Sequence, residues 1–232
     1  MSLQLSVRTM AASPPIHTMM DVHTGRAPGN AVDALERIGT RIVLHRHQPL
    51  FQEGDQADAV YRVVSGAVRT SRVMPDGRRY VADFLFPGDF IGLNDQQVRT
   101  VAAEALCDVI LIRYARRQFN SSIESDRSLG RMILSILSGG LTSAQERMLL
   151  LGRKTAAERV ASFLLMMAGR RKSGRIELPM TREDIADYLG LTIETVSRTI
   201  SLFRSKAIIR TLGAATIVIQ DQDALEELAE SA

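Results

Sequence analysis

Cysteine is almost missing from this chain, with one thiol among 232 residues. A single thiol cannot close an intramolecular disulfide, nor supply the four thiolates that usually hold zinc or an iron–sulfur cluster, so a reducing, intracellular setting is expected. Long hydrophobic runs are missing too. None approaches the ~20 residues that span a bilayer, and Met1 to Pro28 lacks the apolar stretch and small-residue cleavage site of a signal peptide. A cytoplasmic location and no membrane partner are therefore expected. Charge of one sign is also scarce, because the formal net charge is +3, too small to announce a nucleic-acid partner by itself. What is present, 45% hydrophobic and 24% charged residues, suits one or two folded domains with a sizeable core.

The small net charge conceals an uneven distribution. Leu151 to Arg210 holds 12 Lys and Arg against 6 Asp and Glu, whereas Thr211 to Ala232 holds 5 acidic residues and no basic ones. A basic block thus precedes an acidic tail, which places any anionic partner in the C-terminal third.

Texture divides the chain into four parts. Residues 1–30 mix Ser, Thr, Pro, Gly and Met without a period and are expected to form a flexible arm. Residues 31–117 carry short runs of Val, Ile, Leu and Phe separated by Glu53-Gly54-Asp55, Ser65-Gly66, Pro75-Asp76-Gly77 and Pro87-Gly88-Asp89. That spacing predicts a small antiparallel barrel or sandwich, with a hairpin joining Val68–Val73 to Arg79–Phe84 across Asp76-Gly77. Residues 118–152 turn helical. Leu129, Ile133, Ile136, Leu137, Leu141, Ala144, Met148 and Leu151 recur at three- and four-residue steps, and Gly139-Gly140 leaves room for a close backbone. An amphipathic helix of about 35 residues has more apolar surface than a small barrel covers, so these residues, with Gly140, are expected to form the seam of a homodimer. Gly152, Arg153 and Lys154 then mark a hinge into residues 153–232.

The chemistry lies in this last part. Thr181 stands three residues before Asp184 and can cap a helix whose apolar face is Ile185, Ala186 and Leu189. Gly190 ends that helix, Thr192 caps a second one, and Val196, Ile200 and Phe203 form the buried stripe of the latter. This is a helix-turn-helix layout. The second helix of such a unit enters the DNA major groove N-terminus first, so Glu194, Ser197 and Arg198, which share one face, are the expected base readers. Arg donates twice to guanine O6 and N7, and Glu accepts from the cytosine N4 amino group, so the two together can read one G·C pair. The plain alternative is an exposed i,i+4 ion pair worth a few tenths of a kcal/mol. Thr181, Arg182, Thr192 and Thr195 sit at helix starts, where hydroxyls, a guanidinium and free N–H groups can hold phosphates, though capping alone also suits the threonines. Ala207 to Ile219 alternates as a hairpin with Gly213 at its tip, a wing, and the acidic tail reads as a closing helix.

With these parts in place, the chain resembles the cyclic-AMP receptor protein and fumarate–nitrate regulator (CRP/FNR) superfamily of bacterial transcription factors. The resemblance runs from about Leu35 to Leu228 and rests on Phe51-Gln-Glu-Gly-Asp, Tyr61-Arg-Val-Val-Ser-Gly, Phe86-Pro-Gly-Asp-Phe-Ile-Gly92 and Glu194-Thr-Val-Ser-Arg198. It implies an α+β fold made of an N-terminal double-stranded β-helix, the jelly-roll barrel of cyclic-nucleotide-binding domains, then a long dimerisation helix and a C-terminal winged helix-turn-helix. The reading helix is similar to that of the FixK-like branch, which implies a palindrome of TTGA, six base pairs and TCAA, and activation together with RNA polymerase.

Departures from the family bear on its effectors. Cyclic-nucleotide members carry a glutamate after the glycine that Gly92 matches, and Leu93 stands there instead; Arg99-Thr100 does resemble the phosphate-gripping pair. Gly92, Leu93, Arg99 and Thr100 thus read as a vestigial ligand pocket. The arm has no cysteine array for an iron–sulfur cluster, and His17, His23, His45 and His47 all come early, with no haem ligand placed. No cofactor, no metal and no obligatory small-molecule effector are expected. A ligand-gated regulator with an unusual pocket is the alternative. A cupin-type metalloenzyme is a distant one: His45 and His47 would share a strand face, but Glu53 comes too late and no later histidine completes the set. Cys107, beside Val109 to Ile112, reads as a small core residue on an apolar strand.

Overall fold

A computed structural model describes residues 35–94, 97–170, 174–213 and 215–230. The expected N-terminal arm, residues 1–30, lies outside them. Eight strands come first: β1 (Gly39–Leu44), β2 (Pro49–Phe51), β3 (Ala59–Ser65), β4 (Val68–Val73), β5 (Arg79–Leu85), β6 (Phe90–Ile91), β7 (Ala102–Ala105) and β8 (Val109–Ala115). They pair first with last: β1 with β8, β2 with β7, β3 with β6 and β4 with β5, all antiparallel. The result is two four-stranded sheets, ordered β1-β8-β3-β6 and β2-β7-β4-β5. This is a chain folded once on itself and then wound, the jelly-roll solution to open sheet edges. Phe51, Tyr61, Val63, Val68, Ile91, Val109 and Leu111 fill the space between the sheets.

The hairpin across Asp76-Gly77 forms as the sequence indicates, with Val68 opposite Leu85 and Val73 opposite Arg79. Ser65-Gly66 does something different, because β3 and β4 belong to different sheets. Gly66 has φ +84, and a Cβ there would overlap the Asp108 carbonyl, so the sheet-switching corner requires glycine.

The helical region is two helices where the periodicity predicts one. α1 spans Arg116–Ser125 and α2 spans Arg127–Arg153. Asp126 separates them in an extended conformation, and its carboxylate accepts from the backbone N–H of Ser128 at 2.8 Å and Leu129 at 3.2 Å. An aspartate that caps offers the backbone a better partner than the preceding turn does, which a hydrophobic period cannot register. Phe119 of α1 packs on Tyr114 and Phe90, and Leu129 and Ile133 of α2 join them with Leu35 and Val60.

Only Lys154 and Thr155 separate α2 from α3 (Ala156–Gly169). α3 opens with a reciprocal capping box between Thr155 and Glu158. The remaining elements are β9 (Arg175–Glu177), α4 (Arg182–Leu189), α5 (Ile193–Ser205), β10 (Ile209–Leu212), β11 (Thr216–Ile219) and α6 (Gln222–Glu230). β10 and β11 form the expected wing, with Gly213 at φ +72, and β9 adds a third strand in the order β10-β11-β9. No described helix is long and apolar enough to cross a membrane.

The two cores meet. Val81 and Phe84 of β5, with Ala67 and Leu106, belong to one buried cluster with Val160, Phe163, Leu164, Tyr188, Leu189 and Val196 from the C-terminal domain.

Candidate nucleic-acid interface

α4 and α5 meet across a short turn. Thr181 caps α4 and exchanges hydrogen bonds with Asp184: the Asp184 N–H donates to Thr181 Oγ1 at 3.1 Å, and the Thr181 N–H donates to Asp184 Oδ2 at 2.9 Å. Gly190 ends the helix in the left-handed region at φ +62, where a side-chain Cβ would be strained. Thr192 caps α5 through the Thr195 N–H at 3.2 Å. Ile185, Ala186, Leu189, Val196, Ile200 and Phe203 are all buried, so both apolar faces read from the sequence point inward.

Burying Val196, Thr199, Ile200 and Phe203 turns the opposite face of α5 outward, and Glu194, Ser197 and Arg198 are all exposed on it. The Glu194 carboxylate is held below its ordinary range by its own backbone N–H first and the Thr192 side chain next, with Arg198 the smallest contributor. Arg198, one turn along the same face, is near enough to Glu194 to contribute to that lowering. No Glu194–Arg198 ion pair within 4.0 Å occurs among the described residues. Thr181 and Thr192 are exposed and Thr195 is half-buried. Arg182 is half-buried, burial lowers its pKa, and its Nη1 is enclosed without a hydrogen-bond partner.

Along α2 the structure divides the residues expected at a dimer seam. Leu129 is 0% and Ile133 6% exposed, and both pack under the barrel of their own chain, so they are removed from that set. Their period matched the seam because two faces of one helix both carry apolar residues at three- and four-residue steps. Ile136 is half-buried against the same core, and Leu151 is half-buried near the hinge. Leu137, Gly140, Leu141, Ala144 and Met148 are exposed. Leu134, which sequence reasoning missed, is 65% exposed and extends this stripe to 134, 137, 141, 144 and 148, the 3.5-residue spacing of a coiled-coil seam.

In the barrel, Arg99 is 5% exposed. Its guanidinium lies 4.3 Å from the Phe51 ring centroid and 5.7 Å from that of Tyr61, and it donates to the Ala59 carbonyl at 2.5 Å. Burial lowers its pKa, with Arg116 adding to the fall and the Tyr61 hydroxyl and Asp58 opposing it. A Cβ at Gly92 would overlap that guanidinium, so glycine and arginine fit one against the other. Leu93 packs with the Tyr114 and Phe119 core, and Thr100 faces solvent. Of the four expected pocket residues, Gly92 and Arg99 thus touch each other, while Leu93 turns to that core and Thr100 to solvent.

Two further expectations are corrected. His45 and His47 lie in the turn after β1, with His47 at φ 67, so they do not share a strand face. His45 Nδ1 meets Asp108 at 3.3 Å and His47 Nδ1 meets Glu104 at 3.1 Å. No group of three or more potential metal ligands occurs among the described residues. Cys107 sits in the turn between β7 and β8, half-buried at the edge of both cores, and not on a strand.

The comparisons agree with this architecture. Residues 41–126 match the cyclic nucleotide-binding domain and residues 158–228 the Crp-like helix-turn-helix domain. The chain is 40% identical over 209 residues to the nitrogen fixation regulation protein FixK of Azorhizobium caulinodans, covering 87% of this chain and 82% of the relative. It is 33% identical over 205 residues to the transcriptional activator protein FnrL of Cereibacter sphaeroides, covering 84% and 83%. The solved structure of FixK2 from Bradyrhizobium japonicum superposes with a TM-score of 0.80 at 39% identity, covering 84% of this chain and 99% of that one. These relatives are named as regulators of transcription and not as enzymes. By its two domains and by these relatives, the chain belongs to the CRP/FNR superfamily of transcription regulators, in its FixK-like branch.

Proposed function

We propose that this CRP/FNR-type activator works in the cytoplasm as a homodimer, binds a palindrome of TTGA, six base pairs and TCAA, and recruits RNA polymerase without an obligatory small-molecule effector. One observation carries the reading: Glu194, Ser197 and Arg198 stand exposed on one face of a capped helix whose other face is buried. Arg198 and Glu194 read the G·C pair of each half-site, and Ser197 contacts the neighbouring base. Thr181, Arg182, Thr192 and Thr195 line the helix starts and take phosphates. The stripe from Leu134 to Met148 supports a second copy as its occupant, since a two-fold protein and a two-fold site require each other. Effector independence is supported by Leu93 in place of a carboxylate and by Arg99 packed against its own barrel.

Selection of bound duplexes from random DNA by purified protein, with no ligand added, tests site, symmetry and effector independence together. The expected product is the palindrome above, and addition of cyclic AMP leaves binding unchanged. Arg198→Ala is expected to weaken binding by ~1–3 kcal/mol per half-site and to relax the preference at the guanine. Unaltered binding by that variant excludes the readout assignment, and binding that appears only with cyclic nucleotide restores the ligand-gated alternative.

A further inference from the structure

The face of α4 turned away from α5 carries charge where a buried helix face usually carries none. Asp184 is 2% exposed. Its Oδ1 accepts from Arg69 of β4 and from Arg79 of β5, the latter at 2.8 Å, while its Oδ2 accepts from the Thr181 N–H at 2.9 Å. Arg79 Nε donates to Asp187 at 2.7 Å, and Arg69 Nη2 donates to Glu104 of the barrel at 3.1 Å. The three bonds from Arg69 and Arg79 to Asp184 and Asp187 join positions more than 100 residues apart, from the barrel to the helix-turn-helix. Beside them Tyr188 packs on Phe84 at 5.2 Å and on Phe163 at 5.8 Å, with the Arg147 guanidinium of α2 4.3 Å from its ring centroid. At the hinge, Arg159 donates to the carbonyls of Leu151, Lys154 and Leu189.

A buried carboxylate between two guanidinium groups tolerates little displacement, because moving one partner leaves a desolvated charge unpaired. The helix-turn-helix therefore cannot turn on its short hinge without breaking the whole cluster. In this clamped arrangement the reading face of α5 stays open to solvent. We propose that Arg69, Arg79, Asp184 and Asp187 are positioning residues, an interdomain clamp that holds α5 in its DNA-reading orientation and takes the place of a bound effector. The proposal rests on the DNA-binding reading above.

The test measures binding of the full-length protein to the TTGA, six base pairs, TCAA duplex by fluorescence anisotropy, beside thermal unfolding. Arg79→Ala, a change on the barrel and away from the DNA face, is expected to weaken binding about tenfold, which is about 1.4 kcal/mol. Arg79→Asp weakens it further, and Arg79→Asp with Asp187→Arg restores most of the loss, which a general loss of fold does not allow. Binding by Arg79→Ala equal to wild type overturns the clamp alone. Tighter binding by that variant overturns it too, showing that the contact holds the reading helix back. A reversed pair that stays folded without regaining affinity shows that pairing is not the cause. Wild-type protein that ignores the duplex overturns the DNA reading and the clamp with it.

Discussion

α4 and α5 are neighbours in one helix-turn-helix, and both carry acidic and basic residues near their starts, yet they use them oppositely. On α5, Glu194 and Arg198 are exposed and form no ion pair within 4.0 Å. On α4, Asp184 and Asp187 meet two arginines of the barrel, and Asp184 is buried. The same side-chain chemistry thus lies on an open surface on one helix and in an internal joint on the other. What separates them is burial: an exposed charge is free to meet a phosphate or a base edge, whereas a buried one needs its counter-charge within the protein.

The strongest way to sharpen this contrast is to compare the two faces of α5. Phe203→Ala opens the buried face and is expected to lower folding stability by ~3–5 kcal/mol, read by denaturant unfolding. Arg198→Ala on the outer face is expected to leave stability within about 0.5 kcal/mol while binding falls. Similar unfolding midpoints for the two variants break the division between an inner and an outer face. Leu141→Asp extends the comparison to α2. It sets a charge in the exposed stripe and is expected to shift the assembly to monomer in sedimentation at micromolar protein without unfolding it, whereas Leu129→Asp, under the barrel, is expected to unfold the chain.

Thr192→Ala removes the cap of α5 and is expected to cost ~1 kcal/mol of stability. Acid separates the two helices with a smaller effect. For Asp184 burial raises the pKa, but the Thr181 N–H and Arg69 outweigh it and hold it below the ordinary 3.8. A carboxylate with a lowered folded pKa contributes stability that is complete above 3.8 and fades as pH falls through the folded value, so the clamp is expected to loosen only below pH 3.8. Glu194, fully exposed, is expected to add nothing measurable to that loss. An unfolding midpoint that falls less between pH 5 and pH 3 in Asp184→Asn than in wild type checks the assignment; an equal fall in the two excludes it.

Much of this was legible from residue order. The hairpin at Asp76-Gly77, the caps at Thr181 and Thr192, the turn at Gly190 and the stripe Val196, Ile200, Phe203 all lie within a few residues of one another, and local geometry decides them. The break at Asp126 was also local, yet a hydrophobic period passes over a polar residue without registering it. Leu129 and Ile133 were misplaced because periodicity says that a face is apolar and not what it meets.

By itself the sequence determined which residues face inward on each helix of the helix-turn-helix, where those helices start and stop, and which side chains near the start of α5 are left to face out. Those follow from capping, turn geometry and the 3.6-residue period, all properties of short segments. Only the tertiary structure decided that Arg69 and Arg79 would meet Asp184 and Asp187, that Arg99 would lie on Phe51, and which apolar face of α2 would remain uncovered. Each of these depends on the winding of the barrel and on the angle at the hinge, which bring together positions distant in the chain, and no local pattern encodes such a distance.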